Sequence, residues 1–325
     1  MAKKKVVILA TGGTIAGVGE AGANTGYVSG QIAGVDLVAA VPEIADYADV
    51  TVEQFCNVNS DDMTGELWLK LAKRIDELAE DGSASGLVDA FVITHGTDTM
   101  DETAYFLSLT LRTEKPVVLT GSMRPATAKE PDGPANLLGA VQSAVGFALE
   151  DEPVGNNVWV YFGGDLFDAR RVQKCSASEL QPMGIDFPGS GAADFDNACE
   201  SPFFDISGVT ELPRVHVVYF AVDANPRLLE FASAISDGLV IAGAGSGEFS
   251  LPWSRALANV DIPVVVATRI NHGVVTLNRN LALAPEGVAR ISAGELPPQK
   301  AAVLLRLALT QTKNPSRLAK IFENA

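Results

Sequence analysis

The chain has 325 residues, 47% of them hydrophobic and 20% charged, which is the composition of a globular protein with an ample core. Its formal net charge of −16 argues against a nucleic acid or an anionic membrane as a partner, since both are bound through basic surfaces. The three cysteines, Cys56, Cys175 and Cys199, are odd in number and widely spaced, so we predict neither a disulfide framework nor a zinc site.

The chain starts with a basic segment, residues 1–5, which is followed by an apolar run, residues 6–10. This run is shorter than the apolar core of a secretory signal peptide, and no apolar stretch has the length needed to cross a bilayer. We therefore expect a cytoplasmic protein that has reduced thiols and no membrane association.

Apolar runs typical of strands alternate with helical periodicity along most of the chain, which predicts a mainly parallel α/β sheet. Strands are predicted at residues 6–10, 50–55, 90–94, 116–120, 158–162, 215–220, 238–242 and 263–268. Helices are predicted at residues 35–41, 64–78, 100–111, 135–149, 226–236, 298–309 and 316–323.

The alternation stops between about Gly184 and Pro213, where Gly, Pro, Asp and Ser are frequent and neither period is present. Such a stretch is typical of a connection between domains. We therefore predict a larger amino-terminal catalytic domain, residues 1–198, with a mainly parallel sheet flanked by helices. A linker, residues 199–213, and a smaller carboxyl-terminal α/β domain, residues 214–325, would follow it.

Two short segments each place a threonine among glycines directly after a strand-like run. Thr14 lies in the first, residues 10–17, and Thr97 in the second, residues 94–100. Open α/β sheets bind ligands at the carboxyl ends of their strands, and glycines allow a close approach of the backbone. Two hydroxyl groups presented in this way predict nucleophilic chemistry on a small polar substrate.

The first hydroxyl needs a neighbour that takes its proton before it becomes an effective nucleophile. Tyr27 is a candidate if the glycine-rich stretch around it, residues 21–34, closes over the site as a lid. An ordinary surface loop is the alternative. A nucleotide-binding turn is disfavoured because the spacing fits neither the dinucleotide nor the phosphate-loop consensus, whereas a purely structural turn stays open for this segment taken alone.

Two charged residues, Asp98 and Lys174, are candidate partners of the second hydroxyl, that of Thr97. Asp98 can hold a substrate ammonium group while Thr97 acts on the other end of the substrate. Lys174 is either a solvated surface charge or, if buried beside these two residues, a proton carrier or electrostatic activator, and the sequence leaves both open. His95 is interpreted as a hydrogen-bonded structural residue, and no pair of His or Cys has the spacing of metal ligands.

The two threonine motifs, residues 8–16 and 92–100, resemble the signature motifs of bacterial L-asparaginases. Four further segments are similar to that family: residues 116–125, 132–137, 298–301 and 307–313. The resemblance covers nearly the whole chain and implies a two-domain α/β fold, a homo-oligomer built as a dimer of dimers, and no cofactor. It also implies hydrolysis of L-asparagine to L-aspartate and ammonia, with some glutaminase activity.

Carried over by position, the resemblance implies that Thr14 attacks the side-chain amide and forms a β-aspartyl ester, with assistance from Tyr27. Thr97, Asp98 and Lys174 would form a second catalytic group that activates water or polarises the reacting centre. Backbone amides near Thr97 would form an oxyanion hole, which is often the largest electrostatic contribution to such a reaction.

The resemblance also implies a set of substrate-binding residues. Ser60 together with Asp98 would bind the α-carboxylate and α-amino groups, beside Asp61 and Ser246. Asp61 stands where the secreted high-affinity members commonly have glutamine, and Ser246 where the family has an asparagine that acts across a subunit boundary. Ala282 falls near the position of a glutamate that a partner subunit supplies to orient the tyrosine. These differences predict low substrate affinity or altered specificity.

Two other functions compete with this interpretation. An archaeal-type amidotransferase subunit that supplies ammonia for tRNA-linked glutamate has an extra amino-terminal domain, whereas the first motif here starts by Thr11, and the acidic charge disfavours tRNA. A catalytically weak or non-catalytic amino-acid-binding protein of the same fold is kept open by positions 61, 246 and 282. The intact set of catalytic candidates argues against it.

Overall fold

The computed structural model describes residues 2–81, 87–150, 157–185, 202–276, 279–282 and 284–325. The chain divides into two compact units, Met1–Ile185 and Asp186–Ala325. Most of the irregular stretch predicted between Gly184 and Pro213 lies outside the described residues, and its first two residues end a short strand.

The first unit contains a six-stranded sheet with the order β2-β1-β3-β4-β5-β6 and a separate pair, β7 and β8. The strands are β1 (Lys4–Gly12), β2 (Ala48–Val58), β3 (Ala90–Thr94), β4 (Val117–Thr120), β5 (Val158–Phe162), β6 (Asp165–Asp168), β7 (Val172–Lys174) and β8 (Met183–Ile185). Neighbours in the large sheet are parallel except for β5 and β6. β3 and β4 are buried along their whole length, because helices cover both faces of a parallel sheet.

The described helices of this unit are α1 (Gly34–Ala39), α2 (Ile44–Tyr47), α3 (Gly65–Glu80), α4 (Met100–Thr110) and α5 (Gly133–Phe147). All except α2 lie close to the predicted positions. α3 begins where the Thr64 hydroxyl accepts a hydrogen bond from Leu67 N at 3.2 Å, and it buries Leu71 and Ile75 on one face. Two 3₁₀ turns, Thr14–Ala16 and Ser60–Asp62, follow β1 and β2 directly.

The second unit has a four-stranded parallel sheet with the order β12-β11-β10-β9. Its strands are β9 (Val215–Tyr219), β10 (Gly238–Gly243), β11 (Val264–Thr268) and β12 (Arg290–Ser292). Its helices are α6 (Arg227–Ala234), α7 (Leu251–Leu257), α8 (Pro298–Gln311) and α9 (Pro315–Glu323). The predicted α/β class, with a larger mainly parallel sheet first and a smaller sheet second, is therefore confirmed.

The elements that the sequence did not predict are short. β6, β7, β8, β12, α2 and α7 have between three and seven residues, too few to display a period of either kind. No helix within the described ranges is long and apolar enough to cross a membrane.

Candidate active site

The candidate site lies where β1 and β3 end side by side. The two strands pair in parallel, with Ala10 opposite Thr94, so the two threonine motifs leave the sheet at the same edge. A cavity of about 230 Å³ opens there. It is lined by Gly13, Thr14, Tyr27, Ser29, Asn59, Ser60, Asp61, Gly96, Thr97 and Asp98.

Glycines bring the two motifs into backbone contact. Gly13 has a φ of 80°, and a Cβ built on it would lie 2.5 Å from Gly96 N. A Cβ on Gly96 would in turn lie 2.8 Å from the Ser60 hydroxyl. Because side chains are excluded at both positions, Thr14 and Thr97 can line the same small cavity.

The first hydroxyl pair joins Thr14 to the lid, which in the structure comprises residues 17–30. It begins and ends four residues before the predicted stretch 21–34, whose last residue, Gly34, belongs to α1. Thr14 Oγ1 lies 2.8 Å from Tyr27 Oη, a hydrogen bond in which either atom can donate. Both side chains are half-buried. The tyrosine that the sequence offered as a proton acceptor is therefore in contact with the first threonine, with the lid over the cavity.

The second group links three side chains from different elements. The Lys174 ammonium, at the end of β7, donates to Thr97 Oγ1 at 2.8 Å and to Asp98 Oδ1 at 2.5 Å. Because an ammonium group can only donate, the Thr97 hydroxyl accepts from Lys174. Thr97 Oγ1 donates its own proton to Met123 Sδ, with 3.6 Å between the oxygen and the sulfur. The Lys174 side chain is 16% exposed, so this lysine is not the solvated surface charge that the sequence left open.

A third set of contacts fixes the floor of the cavity. Asp98 N donates to the Ser60 hydroxyl at 3.2 Å, and the Thr99 hydroxyl donates to Ser60 O at 2.6 Å. Ser60 is buried, whereas Asp61 beside it is exposed and lines the cavity. The end of β2 is thereby attached to the motif that follows β3.

His95 lies behind the site and has structural partners. It is fully buried; its Nδ1 is 2.7 Å from Gly96 O and its Nε2 is 3.0 Å from the Thr103 hydroxyl, which also accepts from Trp68 Nε1 at 2.9 Å. Gly96 O can only accept, so Nδ1 carries the proton and Nε2 accepts from Thr103. Burial lowers the pKa of His95 to about 4, which keeps the ring neutral.

This buried histidine predicts a specific loss of stability in acid. Between pH 6.5 and about 4 the unfolded chain binds a proton at His95 that the folded chain does not, so the free energy of unfolding falls as the pH falls through this range. We expect a loss of about 3 kcal/mol from this group. Urea unfolding at pH 7 and pH 4 measures it, with His95→Gln compared to wild type.

A substitution without a titratable group provides the control for this measurement. Thr51→Val, at an exposed position on β2, should lose stability with falling pH as the wild type does. His95→Gln, although less stable at pH 7, should lose about 3 kcal/mol less than the wild type between pH 7 and pH 4. Equal pH dependence in His95→Gln and wild type would contradict the assignment.

The remaining predicted residue, Ser246, belongs to the second unit. It follows β10, is exposed, and donates from its hydroxyl to Val274 O at 2.9 Å. Ala282 ends the 3₁₀ turn Arg279–Ala282 and is exposed. Within the described ranges, no cluster of three or more His, Cys, Asp or Glu is arranged to hold a metal ion.

The sequence reasoning missed three residues of the site. Asn59 and Ser29 line the cavity, and Met123 contacts the Thr97 hydroxyl. Asn59 had a usable signal, because it comes directly after β2 at the same edge of the sheet as the two motifs. Ser29 and Met123 lie on loops without a period, so only the folded chain reveals their positions.

Comparison with known proteins places these observations in a family. Residues 5–189 match the family model described as Asparaginase, N-terminal, and residues 214–322 match the Glutaminase/Asparaginase C-terminal domain. The chain is 38% identical over 334 residues to the probable periplasmic L-asparaginase of Haemophilus influenzae, covering 98% of this chain and 92% of that protein. It is 38% identical over 340 residues to L-asparaginase 2 of Escherichia coli, covering 99% and 93%.

A solved structure extends the similarity to three dimensions. The crystal structure of a probable cytoplasmic L-asparaginase from Campylobacter jejuni has a TM-score of 0.86 and 37% sequence identity, and it covers 99% of this chain and 100% of that chain. Fold and site define an α/β protein that presents paired hydroxyl groups at the carboxyl edge of a parallel sheet. The chain belongs to the asparaginase family, as its two threonine motifs indicated.

Proposed function

We propose that this chain hydrolyses the side-chain amide of L-asparagine to L-aspartate and ammonia, with L-glutamine as a weaker second substrate. The observation that carries the proposal is one cavity lined by two hydroxyl systems, Thr14 with Tyr27 and Thr97 with Lys174 and Asp98. Membership of the asparaginase family supports it.

In the first half of the reaction, Thr14 Oγ attacks the carbon of the amide group. The hydroxyl proton passes to Tyr27 Oη, which gives its own proton to the leaving nitrogen as the carbon–nitrogen bond breaks. Ammonia departs and a β-aspartyl ester of Thr14 remains. Backbone amides near Thr97 hold the oxyanion of the tetrahedral intermediate, a contribution of about 3 kcal/mol for each donor in comparable sites.

In the second half, water attacks the ester and returns the hydroxyl group to Thr14. Thr97 Oγ1 takes up a proton of this water as its own hydroxyl proton passes to Lys174 Nζ and a Lys174 proton passes to Asp98 Oδ1, along the chain of short hydrogen bonds. Tyr27 protonates Thr14 Oγ1 as the ester bond breaks, and the proton held by Asp98 returns to Tyr27 through solvent. L-Aspartate is then released. The sequence of steps consumes only water, so it requires no cofactor.

Binding of the amino-acid end of the substrate falls to Ser60, Asp61 and Asp98. The Asp98 carboxylate pairs with the substrate ammonium group. The backbone amides around the turn Ser60–Asp62 donate hydrogen bonds to the substrate α-carboxylate. Asp61 adds a second acceptor for the ammonium group. Its negative charge also repels the α-carboxylate of the substrate. The product, L-aspartate, carries two carboxylates and is repelled more strongly.

Removing this charge should tighten binding. We expect Asp61→Gln to lower the KM for L-asparagine about two- to fivefold, and to lower the inhibition constant of L-aspartate at least as much. Initial-rate kinetics with both amino acids, and with L-glutamine for the specificity ratio, measure the change. Asp49→Asn, an equal change of charge at an exposed position near the start of β2 and away from the cavity, should leave KM unchanged. A higher KM in Asp61→Gln would contradict this prediction. It would mean that the attraction between the Asp61 carboxylate and the substrate ammonium group outweighs its repulsion of the α-carboxylate.

We propose further that Ser246 contributes to substrate binding across a subunit boundary in a homo-oligomer, a dimer of dimers. The exposed hydroxyl of Ser246 and the family resemblance support this role. Sedimentation measures the assembly, and mixing inactive Thr14→Ala subunits with Ser246→Ala subunits tests whether sites are shared. Activity strictly proportional to the fraction of Ser246→Ala subunits would contradict sharing.

A cytoplasmic location is also proposed. It is supported by the acidic, cysteine-poor composition and by similarity to the probable cytoplasmic enzyme of Campylobacter jejuni, although the relative from Haemophilus influenzae is described as periplasmic. Cell fractionation with a tagged chain decides between the two compartments.

The activity itself is tested by ammonia release from L-asparagine and L-glutamine over a wide range of concentrations. Release from L-asparagine, with a smaller kcat/KM for L-glutamine, is the expected result. A folded wild-type chain that releases ammonia from neither would overturn the proposal and favour the amino-acid-binding alternative.

A further inference from the structure

The lid is a hairpin whose first arm (residues 17–22) and second arm (residues 26–30) are joined by backbone hydrogen bonds. Val18 N donates to Val28 O at 3.0 Å and Val28 N donates to Val18 O at 2.9 Å. Tyr27, on the second arm, packs over the first, since a Cβ built on Gly17 would lie 2.8 Å from its ring and one on Gly19 would lie 3.0 Å from its Cβ. The position of the first arm therefore determines where the tyrosine hydroxyl stands.

The first arm is held by a segment that follows β4. Gly19 N donates to the Thr127 hydroxyl at 3.0 Å, Gly22 N donates to Thr127 O at 2.8 Å, and Ala126 N donates to Gly17 O at 3.1 Å. Thr127 supplies two of these acceptors, one from its side chain and one from its backbone. No other side-chain hydroxyl on this segment is available for the task, because its neighbours are alanines.

This anchor segment, residues 123–128, is itself firmly attached to the core. The Asp132 carboxylate accepts hydrogen bonds from Met123 N at 2.8 Å and from Arg124 N at 2.9 Å. Pro125 is buried. The lid is thus hydrogen-bonded to a rigid part of the unit, and the Thr127 hydroxyl is the contact that a substitution can remove without changing the backbone.

We propose that Thr127 is a positioning residue, which holds the lid closed so that the Tyr27 hydroxyl stays within hydrogen-bond distance of Thr14. The residue touches neither substrate nor Thr14 and acts through Gly19 and the first arm. Its effect on turnover rests on the proposed amide hydrolysis. Its effect on the lid rests on geometry alone, so the two can fail separately.

Kinetics test the first consequence. Thr127→Val keeps the shape and the backbone acceptor but removes the hydroxyl, and we expect kcat/KM for L-asparagine to fall about fivefold, the factor for one neutral hydrogen bond. Thr127→Ser should retain nearly full activity. In a Tyr27→Phe background, Thr127→Val should lower kcat/KM less than about twofold, because the effects of substitutions at residues that act through one another are not additive.

Hydrogen exchange tests the second consequence without any reaction. Thr127→Val should speed amide exchange at Val18, Gly19 and Val28 about fivefold, with the exchange of core strands unchanged. Thr51→Val makes the same substitution at an exposed position on β2 and should change neither exchange in the lid nor turnover.

The outcomes separate the two claims. If the wild type releases no ammonia but lid exchange rises in Thr127→Val, the proposed function fails and the anchoring role stands. Unchanged lid exchange would overturn the anchoring role. An equal loss of kcat/KM with and without the Tyr27 hydroxyl would likewise overturn the claim that Thr127 acts through Tyr27.

Discussion

Replacing Thr14 with alanine should reduce ammonia release from L-asparagine by about 10⁴-fold or more, because the variant lacks the hydroxyl oxygen that forms the proposed ester. The substitution removes the hydrogen-bond partner of the Tyr27 hydroxyl, but Tyr27 is half-buried and lines the cavity, where water can take the place of that partner. Thermal unfolding should therefore change little. Steady-state kinetics and the unfolding temperature of the purified variant measure both effects.

Two further variants make this result specific. Thr14→Ser retains a hydroxyl group and should keep part of the activity. Thr25→Ala removes an exposed threonine from the lid and should keep all of it. A folded Thr14→Ala variant that keeps more than about one per cent of wild-type turnover would exclude Thr14 as the nucleophile.

Lys174→Met should reduce kcat by about 10²- to 10⁴-fold, the range for the loss of a group that takes part in proton transfer. The ammonium is the shared donor of the Thr97 hydroxyl and the Asp98 carboxylate, so both lose a partner at once. Asp98 becomes freer to bind the substrate ammonium. KM for L-asparagine should consequently stay within about threefold of the wild-type value.

A lysine on the surface of α3 serves as the matched control. Lys70 pairs with Glu66 at 2.6 Å, with its side chain 61% exposed, so Lys70→Met removes a similar ion pair away from the cavity. This variant should have wild-type kcat and KM, as expected of an exposed ion pair. If Lys174→Met retained more than about a tenth of the wild-type kcat, the lysine would have only a structural role.

Most of the described strands, the longer helices and the position of the candidate site follow from the sequence. Thr14 and Thr97 each come directly after a run of buried apolar residues, and strand ends are where such sheets bind ligands. The sequence does not show that β1 and β3 are neighbours, since β2 lies between them in the chain. Only the observed order places both threonines on one cavity.

Contacts that depend on short irregular segments could not be predicted. Lys174 belongs to a strand of three residues and meets Thr97 across 77 positions of the chain. Thr127 reaches the lid across 108 positions from a loop without periodicity. A charge or a hydroxyl in such a segment has the same local pattern whether it faces solvent or a site, so the fold alone distinguishes the two.

Partitioning of the proposed Thr14 ester between water and hydroxylamine tests the mechanism most directly. L-Asparagine and the β-methyl ester of L-aspartate differ only in their leaving groups, so both would give the same intermediate on Thr14. We predict the same ratio of β-aspartyl hydroxamate to L-aspartate from both substrates at a fixed hydroxylamine concentration. A ratio that depends on the leaving group would show that water and hydroxylamine attack the substrate directly, and this result would contradict the ester.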